Sequence, residues 1–478
     1  MNTIIKHIFN TGLIIVLFGS LSFAQDSFLA KGDNTIVYKK LSHALKEPNK
    51  VQVLDLKWQY IRYLPSEIAL FENLKSLNLS WNKLRSLPKV ITRVQSLEKI
   101  ELIDNSHLNL RLLFKKLAQL KNLQELSFGW NKLRSLPEEF TKLQNLKAIG
   151  LRFKNDTNLS PIFVKLANLP KLEKLDMQRN YFLQIAPELS GLRNLRELNL
   201  HSNKLEKLPA RLNRLRKLKR LDLGNNEIKS IPGYIGSFSD LRWLDLSVNK
   251  LEAFPGRIGS LKKLTHLNIS ENSIVELPGN IGGLRNIKYF NASKNQLTEF
   301  PSSIKNFKKV EYLDLSSNYF KKLPKGIASL PMLKVLNLSN NPDLSFSNVF
   351  SEKQLRLTEV ILTGNNFESI PASLAKVPNL KILNLESNGL KKVSKNVANL
   401  KTVKELSLAK NSFSNFPEEI LSLTSLEVLN LDFNRITYIP DAISSLTNLK
   451  KISLRYNPIS SRDIRKIKAA IPGVKIIR

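Results

Sequence analysis

The 478-residue chain contains no cysteine, which excludes disulfides, thiolate metal sites and every cysteine-nucleophile mechanism. Its 74 Lys and Arg against 40 Asp and Glu give a net charge of +34, which favours solubility and anionic partners but says nothing about fold. A chain this long ordinarily means about three domains, but here almost the whole length is taken up by one recurring pattern.

Residues 1–24, MNTIIKHIFNTGLIIVLFGSLSFA, read as a cleavable export signal. Lys6 and His7 form the basic start and Leu13–Phe18 the apolar core, and Ser22 and Ala24 supply small residues before a cut ahead of Gln25. The apolar run is interrupted at Asn10–Gly12 and is shorter than the ~20 residues that span a bilayer. No later segment is apolar enough to cross a membrane. The expectation is a secreted, cell-surface or periplasmic protein, with an intracellular signalling scaffold as the alternative where the first 24 residues are retained.

Residues 25–50 form an N-terminal cap. Ile36, Val37, Leu41, Ala44 and Leu45 have helical spacing, which predicts a helix over Thr35–Lys46, capped by Asp33 or Asn34 and stopped by Pro48. The open end of a repeat stack exposes the interior of its first unit, so a half-polar lid is required.

Residues 51–459 repeat. Leu264, Leu267, Ile269, Asn272, Ile274, Leu277 and Pro278 define one unit, and the same frame recurs 23 residues to either side. Units open at 51, 74, 97, 123, 146, 172, 195, 218, 241, 264, 287, 310, 333, 357, 380, 403, 426 and 449, making 18 repeats. Each unit is predicted to give a short strand, a turn held by the asparagine and a looser outer segment after Leu-Pro. Period-2 alternation points positions 4 and 6 inward and positions 3, 5 and 7 to the open face of the sheet. Parallel strands stack at ~4.8 Å while the outer segments are bulkier, so the array should curve with the sheet on its concave side. Asn82, Asn131, Asn180, Asn203 and Asn226 sit where backbone groups would otherwise be buried unpaired, and an amide can donate and accept at once.

Three repeats depart from this length. Those at 97 and 146 are 26 residues long and the one at 333 is 24. The first lacks Leu-Pro and reads SHLNLRLLFKKLAQL, which predicts a regular helix on the outer side. The second has Lys154 in the asparagine position, which predicts a bulge over roughly residues 152–161. The third inserts near Asn341–Asn348, where a protruding loop is expected. Residues 460–478 close the chain: Ser460 or Ser461 caps a helix to about Ala470, Pro472-Gly473 ends it, and Val474–Ile477 form a last strand.

The pattern LxxLxLxxNxLxxLPxxIxxLxxL resembles the leucine-rich repeat family in its 23-residue form. The resemblance implies a right-handed α/β solenoid, a horseshoe with a parallel concave sheet and helical caps. The run Ala44–Pro65 and the closing SSRDIRKIKAAIPGVKIIR also resemble exported leucine-rich repeat proteins of leptospiral spirochaetes. That likeness implies a bacterial protein engaging host or envelope components.

Sorting residues by repeat position brings out one constellation. Position 3 of repeats 9 to 12 reads Trp243, His266, Tyr289 and Tyr312; position 5 of repeats 9 to 13 reads Asp245, Asn268, Asn291, Asp314 and Asn337. Position 7 of the same five is serine throughout. Flat rings with a polar tip cost little to order in a contact and dominate binding energy. These residues are therefore the candidate ligand surface, for a protein or peptide segment or for a glycan. Asp or Asn at position 5 and Ser at position 7 are ordinary for this repeat, so the aromatic row carries the signal. A second cluster at position 8, Trp58, Trp81, Trp130 and Phe153, reads as packing along the turn edge.

Position 2 is basic at ten repeats, among them Lys219, Arg242, Lys288 and Lys334, while position 5 has six acids and no base. The densest basic run is Arg211, Arg214, Arg216, Lys217, Lys219 and Arg220. Such a flank offers an alternative function, electrostatic binding of acidic polysaccharide or other acidic polymers through salt-sensitive contacts. An export signal argues against nucleic acid. The expectation is no enzyme, no cofactor and no metal: the five histidines are scattered, and His201 and His266 lie three strands, ~14 Å, apart. Matches to NxS/T such as Asn78-Leu79-Ser80 fall inside the strand consensus and read as repeat residues.

Overall fold

A computed structural model of the chain describes residues 36–131, 135–153, 158–209, 211–345 and 350–478. It divides into two compact units, Met1–Asn180 and Tyr181–Arg478. The export signal, and Asp33 and Asn34, lie outside the described residues.

In each unit the repeats fold as the alternation requires. The strands are three residues long in most repeats and pair in parallel with the next repeat in sequence, for example Leu244 with Leu267 and Leu267 with Phe290. Position 4 and 6 side chains are fully enclosed: Leu244, Leu246, Leu267, Ile269, Phe290 and Ala292 are each 0% exposed. Each strand has too few residues to stand alone, and its stability comes from its two neighbours. After Leu-Pro or Phe-Pro, the outer side is a single 3₁₀ turn, as at Gly256–Ser260 and Gly279–Gly283. Proline sits just before each of these turns with an extended backbone, where its missing N–H removes no bond. Gly259 is required there, since a Cβ would stand 2.2 Å from the Asn280 carbonyl oxygen of the next repeat.

The asparagines do what their position predicts. Asn318, 2% exposed, donates from Nδ2 to the carbonyls of Ala292 (3.0 Å), Leu315 (3.1 Å) and Ser316 (3.0 Å). Its Oδ1 accepts from the Leu297 amide at 3.0 Å. Asn272, Asn295, Asn411 and Asn434 repeat the arrangement, each bridging its own turn to the preceding repeat. The residue just before the asparagine is held at positive φ in repeat after repeat, from Trp81 (59°) to Tyr456 (56°).

The first unit holds the irregular repeats. The expected helix in the repeat at 97 is present after a one-turn helix of the cap: α1 is Leu41–Ala44 and α2 is Leu110–Leu117. Asn109 caps α2 by accepting from the Leu112 amide. In the next long repeat the expected bulge is corrected at both ends. The strand runs on through Arg152, and α3 (Ser160–Ala167) begins where a bulge was predicted; residues 154–157 lie outside the described residues. Three additional residues give the outer side room for two helical turns. Strands Glu125–Gly129 and Ala148–Arg152 are correspondingly five residues long, and Gly129 is needed because a Cβ would lie 2.3 Å from the Arg152 Cβ. Arg152 is buried and paired with Asp176 at 2.7 Å.

The N-terminal cap differs from its prediction. In place of a helix over Thr35–Lys46, Val37–Tyr38 is a strand that pairs with Val53 and Leu54, and helix is confined to α1. The first repeat's strand has an unpaired edge, and covering its backbone groups outweighs a weak helical preference. At the other end α4 (Ser461–Ala470) is capped as expected, with Ser460 Oγ accepting from the Asp463 amide at 3.1 Å. Lys475–Ile477 then pairs with Lys451–Ser453. Of the insertion near Asn341–Asn348, residues 346–349 lie outside the described residues. No described helix is long and apolar enough to cross a membrane.

Asn318→Ala strands one backbone N–H and up to three carbonyls, at ~1–3 kcal/mol for each group left unsatisfied. Urea unfolding followed by hydrogen exchange should show a loss of about 3 kcal/mol, centred on the repeats at 287 and 310. Unchanged protection of the Leu297 amide would contradict the role assigned to Asn318.

Candidate functional site

The predicted aromatic row forms in the second unit. Trp243 pairs with His266, His266 with Tyr289, and Tyr289 with Tyr312, all at position 3 of adjacent parallel strands. Rings one strand spacing apart meet face to face. Tyr289 and Tyr312 stack at 4.7 Å with planes 6° apart, and His266 follows at 6.0 Å and 22°. All four are half-buried.

The second predicted row lies beside it, and most of its polar atoms are used within the sheet. Asp245 Oδ1 accepts from the amide (2.8 Å) and Oγ (2.5 Å) of Ser247, and Oδ2 accepts from Asn268 at 3.2 Å. Asp314 accepts from the amide (3.0 Å) and Oγ (2.6 Å) of Ser316, from Tyr312 Oη (3.0 Å) and from Asn337 (3.0 Å). Asn268 and Asn337 take the hydroxyls of Ser270 and Ser339 at 2.8 and 2.7 Å, and Asn291 accepts from the Ser293 amide at 2.9 Å. These two rows therefore act as a stiff floor, and the rings project from it.

The row is electrically neutral at ordinary pH. Burial, then Arg220 and Lys288, holds His266 below its usual value, and Thr265 Oγ1 lies 2.8 Å from its Nδ1. Burial pushes the Tyr289 phenol up to about 12, and burial followed by Asp314 raises Tyr312 further. Asp245 is pushed up to about 6 by burial, with the negative charge of Asp222 on the next strand second.

One partner of the row was not picked out by ring type. Arg220, at position 3 of the preceding repeat, lays its guanidinium over Trp243 at 3.5 Å from the ring centroid. Its position-3 address was legible, but a row defined by aromatic residues passes over it. His201 Nδ1 stands 3.4 Å from Asp222 Oδ1, apart from His266. Among the described residues no group of three or more His, Asp or Glu is arranged to hold a metal ion.

The position-8 cluster packs along the turn edge. Trp58 and Trp81 stack at 4.4 Å and 6°, Trp130 meets Trp81 edge-on at 5.0 Å, and Phe153 is buried. Trp58 stays 59% exposed, so this edge is only partly covered. On the basic flank, Lys288 and Lys334 bracket Glu311 at 3.7 and 2.6 Å, and Lys404 and Lys450 bracket Glu427 at 2.6 Å each.

Stacked parallel strands, an asparagine at most turns and an unpaired open face define a repeat solenoid built for surface display. Models of leucine-rich repeat families match residues 193–251 and 401–459 (leucine rich repeat), 233–356 (leucine-rich repeat region) and 73–93. The chain belongs to the leucine-rich repeat family. It is similar to a leucine-rich repeat protein of Leptospira interrogans, at 29% identity and TM-score 0.66, over 93% of this chain and 100% of the other. It is similar also to the structure of the Drosophila Toll–Spatzle complex, at 20% identity and TM-score 0.57, over 84% of this chain and 49% of that one. Comparison with curated proteins gives no match.

The raised carboxyl of Asp245 has a signed consequence for stability. A carboxyl whose folded pKa lies above its ordinary 3.8 binds its proton more tightly in the folded state. Stability is therefore greatest while it is protonated and falls as pH rises toward about 6. Urea midpoints measured across this range should fall for the wild type relative to Asp245→Asn, which lacks the titration. Parallel profiles would contradict the assignment.

Proposed function

We propose that the chain is an exported, non-catalytic binding protein that grips an extended segment of another protein across the open strand face of its second unit. The observation that carries this reading is the in-register row Trp243, His266, Tyr289 and Tyr312. It is a set of rigid, neutral, polar-tipped rings on a hydrogen-bonded floor. Pre-ordered anchors of this kind lower the entropy lost on association. Export to a surface, periplasmic or released setting is supported by residues 1–24, and a bacterial source by the likeness to the Leptospira protein. Toll, which shares the fold, was solved in complex with Spatzle.

Binding of acidic polymers on the position-2 flank is less well supported, because Glu311 and Glu427 already engage four of its lysines.

Peptides selected from a random library on the purified chain provide the test. Affinity should fall about 1,000-fold in Trp243→Ala/Tyr289→Ala, two anchors at ~2 kcal/mol each, and change little between low and moderate salt. Affinity that survives the double variant and collapses with salt would instead identify the basic flank. N-terminal sequencing of protein recovered from its own cells should begin at Gln25; an intact Met1 would replace export with the scaffold reading.

A further inference from the structure

The two ends of the aromatic row have the same layout, and only one of them is filled. At one end the position-3 residues of three successive strands are Trp243, Arg220 and Glu197. The Arg220 guanidinium covers the outer face of Trp243 at 3.5 Å and feels the charge of Asp222 on its own strand and then that of Glu197. At the other end the corresponding residues are Tyr312, Val335 and Glu359. Here too an aromatic ring and a glutamate stand two strands apart, about 10 Å at the spacing of parallel strands. The residue between them is a valine, which carries no charge and rises only two bonds above the backbone.

Tyr312 is stacked on Tyr289 on one side, so its other face turns toward the Val335 strand. Beyond Val335 the Glu359 carboxylate has no hydrogen bond or ion pair among the described residues. Burial, then the negative Glu405, pushes that carboxyl up to about 7, as befits a group that no cation reaches.

We propose that the slot between Tyr312 and Glu359 receives an arginine side chain of the bound protein, in the place that Arg220 fills at the other end of the row. Arginine suits it better than lysine, since a planar guanidinium stacks on a ring and presents its N–H edge to a carboxylate together. Charge complementarity supports the same partner. Positions 3, 5 and 7 of the second unit carry eight carboxylates against three cations, Arg220, Lys451 and Arg455, in a chain of net charge +34. A cationic segment is therefore repelled by most of the molecule and accepted on this face. The inference rests on the docking reading of the open face and names the chemistry that one end of it selects.

The probe is acetylated tri-arginine amide titrated into the full chain by calorimetry, with the isosteric, neutral tri-citrulline peptide as control. Tri-arginine should bind the wild type, and Glu359→Gln should weaken it about tenfold, as befits loss of a charged hydrogen-bond partner. Val335→Arg, which fills the slot from within, should weaken it at least as much. Both substitutions lie on the solvent side of the sheet, so melting temperatures should stay close to wild type. Equal affinity in wild type and both variants, equal binding of tri-citrulline, or no binding of tri-arginine overturns the proposal. Trp243→Ala separates the two ideas. It should leave tri-arginine binding unchanged while weakening binding of library peptides about 30-fold, so either can fail without the other.

Discussion

The structure depends on the buried amide at position 9. The chain must turn sharply after every strand, and the turn leaves one N–H and several carbonyls facing an apolar interior. Asn318 satisfies four of these groups with one side chain, two in its own repeat and two in the repeat before it. Because the bond runs between neighbours, it ties each repeat to the previous one at a constant register. The price is a left-handed residue just before it, which even Trp81 and Trp130 adopt at φ 59° and 54°. Left-handed backbone costs a bulky residue ~1–2 kcal/mol, comparable to one unsatisfied buried group, and each turn would leave several.

A constant register turns sequence separation into lateral distance. Residues 23 apart become neighbours at the strand spacing, which is why Tyr289 and Tyr312 stack at 4.7 Å. The same geometry lets Asp245 reach Asn268 and Asp314 reach Asn337, so position 5 is tied laterally in two pairs of adjacent strands. The hydroxyls of Ser247, Ser270, Ser316 and Ser339 in turn brace the residue two before each on its own strand. The face is therefore ordered before anything binds, and its rings have few alternative rotamers to lose.

What could be read from the sequence follows from this division. The repeat frame, the inward set, the role of the asparagines and the Ser460 cap are all local or strictly periodic signals, and they were legible. The strand at Val37–Tyr38 was not, because it exists to cover an edge that only the folded first repeat presents. The helix Ser160–Ala167 was hidden behind Lys154, Asn155 and Asp156, whose polarity signals a loop just before it. The row itself was legible as a column of ring types. Its ends were not, because Arg220 on Trp243 is a stacking contact between unlike residues. Likewise, Glu359 means something only once Val335 is seen to stand between it and Tyr312.

The same division explains how such a fold acquires a specific surface. Positions 4, 6, 9, 11 and 14 build the core and the turn, and substitution there is felt by two or three repeats at once. Positions 3 and 5 contribute mainly to the open face, so their identity varies with little consequence for folding. Arg220 and Val335 occupy equivalent places beside an aromatic ring and a glutamate, one supplying a cation and the other leaving room for one. Neither choice alters the leucines behind it: Leu221 and Leu336 are both 0% exposed. Recognition in this molecule is therefore written in the differences between repeats, while the identities they share only hold the surface in place.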